Sequence, residues 1–228
     1  ENPVPKEVIV EEELDEGLAA YLGKTAGHVV KITVPQQGAK KKLLELAGKN
    51  IETVHFGEEL KVMELQAALH MKTPPNVVEC FDISHLSGTD TVASMVQFRG
   101  GKPDKKNYRR FRIKTVEGID DFASMAEVIR RRYSRLIDEE TPLPDLILVD
   151  GGKGQLSSAK KVLDALDADI PLISLAKSEE EVYVTGVPFP LPFDKKTKAN
   201  MYLQEIRDEA HRFAIDYNRL LRKKRLIK

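Results

Sequence analysis

A single cysteine, Cys80, excludes an internal disulfide framework, so the fold must hold by packing. No apolar run approaches the about 18 residues of a membrane span, and no membrane partner is expected. The 36 basic and 36 acidic side chains cancel to a net charge of zero, which denies any global field favouring nucleic acid. Such a partner has to be read from local clusters. The N-terminus, Glu1-Asn-Pro-Val-Pro5, lacks the charged and apolar regions of a signal peptide, and a cytoplasmic protein is the expectation. The chain opens without methionine and closes on Arg222-Lys-Lys-Arg-Leu-Ile-Lys228, so it reads as a segment of something longer. What is present suffices for a real core: 228 residues, 41% hydrophobic and 32% charged, as one large or two small domains.

The chain is organised around Leu146-Ile-Leu-Val-Asp150-Gly-Gly-Lys-Gly-Gln155. An unbroken apolar run fits a strand covered on both faces, and the acid that ends it stands where open α/β sheets do their chemistry. Before it, residues 1–75 read as a β-α-β-α region that packs on the core: strands at Glu7–Glu12 and His28–Val34 around a helical turn at Leu18–Leu22, then helices from Gly38 to Gly48 and from Glu58 to Met71. The first of these helices places Leu43, Leu46 and Ala47 on one side, with Lys40, Lys41 and Lys42 at its start. The second carries an apolar stripe of Leu60, Met63, Ala67 and Met71. Thr73-Pro-Pro-Asn76 sets the boundary.

Residues 76–228 give strands at Val77–Ile83, Thr91–Arg99 and Asn107–Lys114, with Gly100-Gly101-Lys-Pro103 turning a hairpin. A helix from Ile119 to Ile137 follows, spaced by Phe122, Ala126, Ile129, Tyr133 and Leu136. Then come the strand ending at Asp150, a helix from Gln155 to Leu166, strands Pro171–Ala176 and Glu181–Thr185, and a last helix from Asn200 to Arg222. This β-β-β-α-β-α-β order belongs to the ribonuclease H-like core, a mixed sheet flanked by helices.

In that architecture the first and fourth strands are neighbours, so Asp82 and Asp150 converge. A carboxylate inside an apolar strand is costly unless paired or bound to a cation. Two of them suit a hard divalent ion, Mg²⁺ or Mn²⁺. The blander reading makes each a turn cap. The glycines after Asp150 match neither the nucleotide-binding phosphate loop nor the dinucleotide fingerprint, where Ser157 occupies the third glycine position. They suit either an anion at a helix N-terminus beside Lys153 or a tight strand-to-helix turn with an exposed lysine.

Three segments, Phe81-Asp-Ile-Ser-His-Leu-Ser-Gly88, Val149-Asp-Gly-Gly-Lys-Gly-Gln155 and Ile206-Arg-Asp-Glu-Ala-His-Arg-Phe213, resemble the signatures of the UvrC C-terminal endonuclease family. Tyr108-Arg-Arg-Phe111, Asp120-Asp-Phe-Ala-Ser-Met125 and Arg130-Arg-Arg-Tyr133 match further blocks of it. The resemblance implies a metal-dependent endonuclease that makes the 5′ incision beside a lesion in nucleotide excision repair. It implies an Asp-Asp-His set on Asp82, Asp150 and His211, with a further acid on Asp121. Damaged double-stranded DNA, UvrB and, earlier in the pathway, UvrA would be the partners. The family's other nuclease domain, its UvrB-contacting segment and its helix-hairpin-helix module have no counterpart here, so weak DNA binding and poor cutting by the chain alone are expected.

Residue by residue, His211 lies off the apolar stripe of Leu203, Ile206, Ala210, Phe213, Tyr217 and Leu220, which argues against a core histidine. As a softer ligand than carboxylate, it fits water activation or phosphate positioning better than firm coordination. Asp121 occupies a first helical turn, where the dipole favours an acid whatever its function, and either it or Asp120 could cap the helix. His85 could approach the site or finish its strand with a hydrogen bond. Contacts to DNA are expected from Lys153, Arg130, Arg131, Lys177 and Arg207. Basic groups at Lys102, Lys105, Lys106, Arg109, Arg110, Arg112, Arg132 and Arg222 to Arg225 could track phosphates or simply form solvated faces. Two rivals stand beside this reading: a nuclease for structured RNA or junctions, and a non-catalytic scaffold for DNA or a repair partner.

Overall fold

The computed structural model describes residues 4–13, 15–51, 57–86, 90–176, 180–194 and 196–226. The chain divides into two compact units, Glu1–Gly57 and Glu58–Lys228. In the first, β1 (Glu7–Ile9) pairs in parallel with β2 (Lys31–Thr33) across α1 (Glu16–Ala26), and α2 (Ala39–Ile51) follows. Asp15 caps α1 by accepting from the Gly17 amide at 2.7 Å, and Gly27 ends the helix in the left-handed region at φ 72°. Leu43 and Leu46 of α2 are exposed.

The second unit starts with α3 (Gly57–Ala68), which buries Val62 and Leu65 in that unit's core. For this reason the division falls at Gly57/Glu58 rather than at residue 75. It also corrects the expected stripe: Met63 and Leu60 are exposed, and the buried face is the one that runs through Val62 and Leu65. Both phases satisfy helical spacing, and the branched valine fills the sheet-facing side.

Seven strands make one mixed sheet. They are β3 (Val77–Leu86), β4 (Asp90–Arg99), β5 (Lys102–Pro103), β6 (Arg109–Arg112), β7 (Leu146–Asp150), β8 (Leu172–Ala176) and β9 (Glu181–Val184). The order is β5-β4-β3-β7-β8-β9, with β6 also on β4. β3, β7 and β8 run parallel, while β4 and β9 pair antiparallel to them. A short 3-10 turn at Lys105–Asn107 delays the start of β6 relative to the sequence expectation.

Side-chain alternation assigns the faces. Phe81, Ile147 and Val149 pack with α4 (Asp121–Asp138) and α5 (Lys153–Ala165) through Met125, Ile129, Tyr133, Leu156 and Leu163. Val78, Cys80, Leu146 and Leu148 face the other way, against Tyr202, Leu203 and Ile206 of α6 (Lys198–Leu226). This α/β arrangement, a mixed sheet covered on both faces, is the ribonuclease H-like layout the element order called for. No helix among the described residues is long and apolar enough to cross a membrane.

Candidate active site

The strand period places both acids on the α6 face. On β3, Val78 and Cys80 point there, and Asp82 is the next residue on that side, only 1% exposed. On β7, Leu146 and Leu148 do the same and Asp150 follows, 3% exposed. Phe81 is the register partner of Val149, so the two aspartates stand one residue further on, at the carboxyl ends of adjacent parallel strands. α6 crosses this face and presents His211, whose Nδ1 is 3.4 Å from Asp82 Oδ2. Donor atoms of Asp82, Asp150 and His211 all lie within 4.8 Å of one another, and the imidazole is exposed.

A buried hydrogen bond also pins helix to sheet here. Ser94, the cross-strand partner of Asp82, donates its Oγ to the Ala210 carbonyl at 3.1 Å. That bond fixes the residue preceding His211. Arg207, one turn earlier, gives Nε and Nη2 to Asp208 at 3.0 and 2.8 Å and has Nη1 3.6 Å from Glu180. Burial pushes its guanidinium down, but Asp208, Glu180 and Asp150 outweigh this and raise it, so its charge is secure beside the acids.

The glycine-rich turn after Asp150 has a steric explanation. A side chain at Gly151 would collide with Gln155 Oε1, which accepts the Gly152 amide at 3.1 Å. One at Gly154 would lie 2.4 Å from the Phe122 ring. That ring covers the start of α5, which is why Phe122 stays outside the buried stripe of α4. Lys153 donates to the Pro188 carbonyl at 2.6 Å and lies 4.9 Å from the Tyr183 ring centroid.

Asp120 is the cap of α4, accepting from the amides of Phe122 and Ala123 at 3.0 and 2.9 Å. Asp121 is engaged elsewhere: it pairs with His85 Nε2 at 2.6 Å, and His85 Nδ1 is 3.1 Å from Thr91 Oγ1. His85 is odd-numbered on β3 like Phe81, so this pair belongs to the α4 face, opposite the Asp82 face. Arg130 is exposed. Arg131 commits Nη1 to the Arg112 carbonyl at 2.7 Å and to Glu127 at 2.9 Å. Arg132 is no solvated cation: it pairs at 2.5 Å with Glu79, a carboxylate 1% exposed that also accepts the Tyr133 hydroxyl at 2.9 Å. Lys177 lies outside the described residues, as do the side chains of Arg222 to Arg225.

Sequence reading missed Glu180 and Glu79, because nothing local distinguishes an acid that will meet an arginine far along the chain. It also treated Phe213 and Tyr217 as core, whereas both are half-buried at the edge of the sheet.

The family model for the UvrC RNase H endonuclease domain matches residues 66–215, and a UvrC ribonuclease H-like domain model matches residues 1–56. The UvrABC system protein C of Methanosarcina barkeri is 62% identical over 227 residues, which is 100% of this chain and 44% of that protein. Its counterpart in Porphyromonas gingivalis is 46% identical over 220 residues, covering 90% of this chain and 37% of the relative. The chain thus spans less than half the length of the curated relatives it matches. Among solved structures, an endonuclease V from Bacillus subtilis aligns at 13% identity with a TM-score of 0.37 over 63% of this chain and 83% of that one, too slight a likeness to argue from. The family match, which spans Asp82, Asp150 and His211, makes the chain a member of the UvrC RNase H endonuclease domain family.

Proposed function

We propose that this chain is the part of an excision-repair nuclease that hydrolyses a DNA phosphodiester on the 5′ side of a lesion. One observation carries the reading: Asp82 and Asp150, buried at adjacent strand ends, meet His211 within 4.8 Å. The two carboxylates so placed fit a divalent cation, with Mg²⁺ or Mn²⁺ favoured by the oxygen ligands, and leave the imidazole for proton transfer. Such an ion, when bound, lowers the pKa of a water nucleophile and offsets charge on the leaving oxygen.

The protein's own groups would do the rest. Asp82 and Asp150 supply fixed negative charge on a sheet too rigid to let them separate. His211, with Nδ1 toward Asp82, has Nε2 on the opposite side of the ring to accept a proton from the attacking water. Arg207, whose guanidinium is raised in part by the charge of Asp150, supplies a cation to the same site. Lys153, Arg130, Arg131 and Lys177 are the DNA-backbone contacts in this reading. Asp121, paired with His85 on the opposite face of the sheet, would act only by holding the end of β3 that carries Asp82. Damaged duplex DNA is the substrate, and UvrB and UvrA act with the parent protein.

The test is metal-dependent stability. Mg²⁺ or Mn²⁺ at about a hundred times its dissociation constant stabilises a folded protein by about 2.7 kcal/mol, read as a raised melting temperature. Asp82→Asn should abolish that rise. A rise retained in Asp82→Asn removes Asp82 from the site and leaves the non-catalytic scaffold in front.

A further inference from the structure

The sheet row that holds Asp82 continues outward to an arginine. Asp82 is the register partner of Ser94, and Ser94 is the register partner of Arg110. Directly paired residues project from the same face. Two contacts identify it as the α6 face: the Ser94 bond to Ala210, and Arg110 itself, whose guanidinium carbon lies 4.5 Å from the Phe213 ring centroid and 5.1 Å from that of Tyr217. Two interstrand steps of about 4.8 Å put the Arg110 backbone about 10 Å from that of Asp82.

Two neighbouring arginines are already engaged. Arg212 gives Nε and Nη2 to Glu209 and Nη1 to Asp216. Arg109 donates to the carbonyls of Lys106 and Tyr108. Arg110 is exposed, and among the described residues its partners are the two rings, with no carboxylate within ion-pair distance. The rings are themselves braced. Tyr108 meets Phe213 edge-on at 5.0 Å and donates its hydroxyl to Glu209 at 2.9 Å. A cavity of about 450 Å³ opens over this shelf, lined by cations and rings together with one acid, Asp216, which is tied to Arg212 at 3.1 Å. A guanidinium laid on aromatic faces keeps its in-plane N–H donors free and loses little freedom when they engage. That is the geometry of a phosphate fork, not of a structural ion pair.

We propose that Arg110 is a positioning residue that clamps a backbone phosphate of the DNA strand being cut. This rests on the nuclease reading above and specifies which way the strand runs: across β3, β4 and β6, from the Asp82 site toward the Phe213 shelf. With a rise of about 3.4 Å per nucleotide along one strand, an offset of about 10 Å places the clamped phosphate no more than about three nucleotides from the reacting bond.

Binding of the 228-residue chain to an undamaged duplex, measured in chelator across a salt series, tests the clamp independently of catalysis. Arg110→Gln should weaken binding about tenfold and lower the log-log salt slope by about 0.9, the signature of one lost phosphate contact. Arg110→Lys should restore the slope but only part of the affinity. Arg110→Met, which keeps ring contact without charge, should behave like the glutamine variant and guards against a folding artefact. In the lesion-incision reaction of the full-length protein, the same variants should raise KM with little change in kcat. Unchanged affinity and slope in both Arg110→Gln and Arg110→Met would overturn the clamp, even if Asp82 proves essential for cutting. Conversely, a lost contact here with metal binding intact in Asp82→Asn would uphold the clamp and sink the nuclease site.

Discussion

Arg132→Met should cost the second unit about 3 kcal/mol of stability, an effect far larger than its place in a run of three arginines suggests. Glu79 sits on β3 at 1% exposure, on the face opposite the aspartates, and takes three donors: Arg132 Nη2 at 2.5 Å, Arg132 Nε at 3.3 Å and the Tyr133 hydroxyl at 2.9 Å. Burial first, and the Glu79 charge second, push the Tyr133 phenol well above its usual range, so that hydroxyl remains a donor. Removing Arg132 leaves the carboxylate inside the sheet–helix interface with one neutral hydrogen bond. Breaking a buried pair in this way costs about 3–5 kcal/mol, and the lower end applies because the Arg132 side chain is 14% exposed. Urea unfolding followed by far-ultraviolet circular dichroism reads the change. At about 2–4 °C per kcal/mol for a unit of this size, the melting temperature should fall by about 6–12 °C. Glu79→Gln combined with Arg132→Met removes the stranded charge while keeping an acceptor for Tyr133, and should recover all but about 1–2 kcal/mol. A cost below about 0.5 kcal/mol for Arg132→Met, or a double variant no better than the single, would refute the buried-charge argument.

Other consequences are equally open to measurement. Gly101 turns the β4–β5 hairpin at φ 81°, and an added Cβ would lie 2.6 Å from the Glu58 carbonyl oxygen, so Gly101→Ala should cost about 3 kcal/mol in the same unfolding assay. Burial pushes the Glu127 carboxyl up, but the Thr115 amide and hydroxyl, the Lys114 amide and Arg131 together hold it below its ordinary value of 4.5. A lowered acid contributes stability that is present above its unfolded value and lost as pH falls through the folded one. Stability should therefore drop as the pH goes below about 4.5, and Glu127→Gln should remove that component of the acid limb. An unaltered acid limb in the variant would contradict the assignment.

Much of this layout was legible because strand and helix periods are local. The run Leu146 to Val149 announced a doubly covered strand, and the position of Asp82 one residue past Phe81 fixed which face it would share with Asp150. His211 could be seen to leave the apolar stripe for the same reason. What failed was anything that depends on where a helix is docked. The phase of α3 could not be chosen between Met63 and Val62 until the sheet was there to bury one of them. Asp120 and Asp121 are equivalent by dipole and capping arguments, and only the arrival of His85 from β3 separates the cap from the histidine's partner. Arg132 and Arg110 both read as surface charge, yet one is sealed against Glu79 and the other lies on rings contributed by α6. Pairings across tens of residues carry no periodic trace.

The most direct measurement of the central claim is incision of a lesion-bearing duplex by the full-length parent protein with its partner subunits and Mg²⁺, comparing wild type with Asp82→Ala after both are shown to melt alike. Selective loss of the 5′ cut, with the other incision retained, is the predicted result. An undiminished 5′ cut would show that the chemistry lies elsewhere than at Asp82, Asp150 and His211.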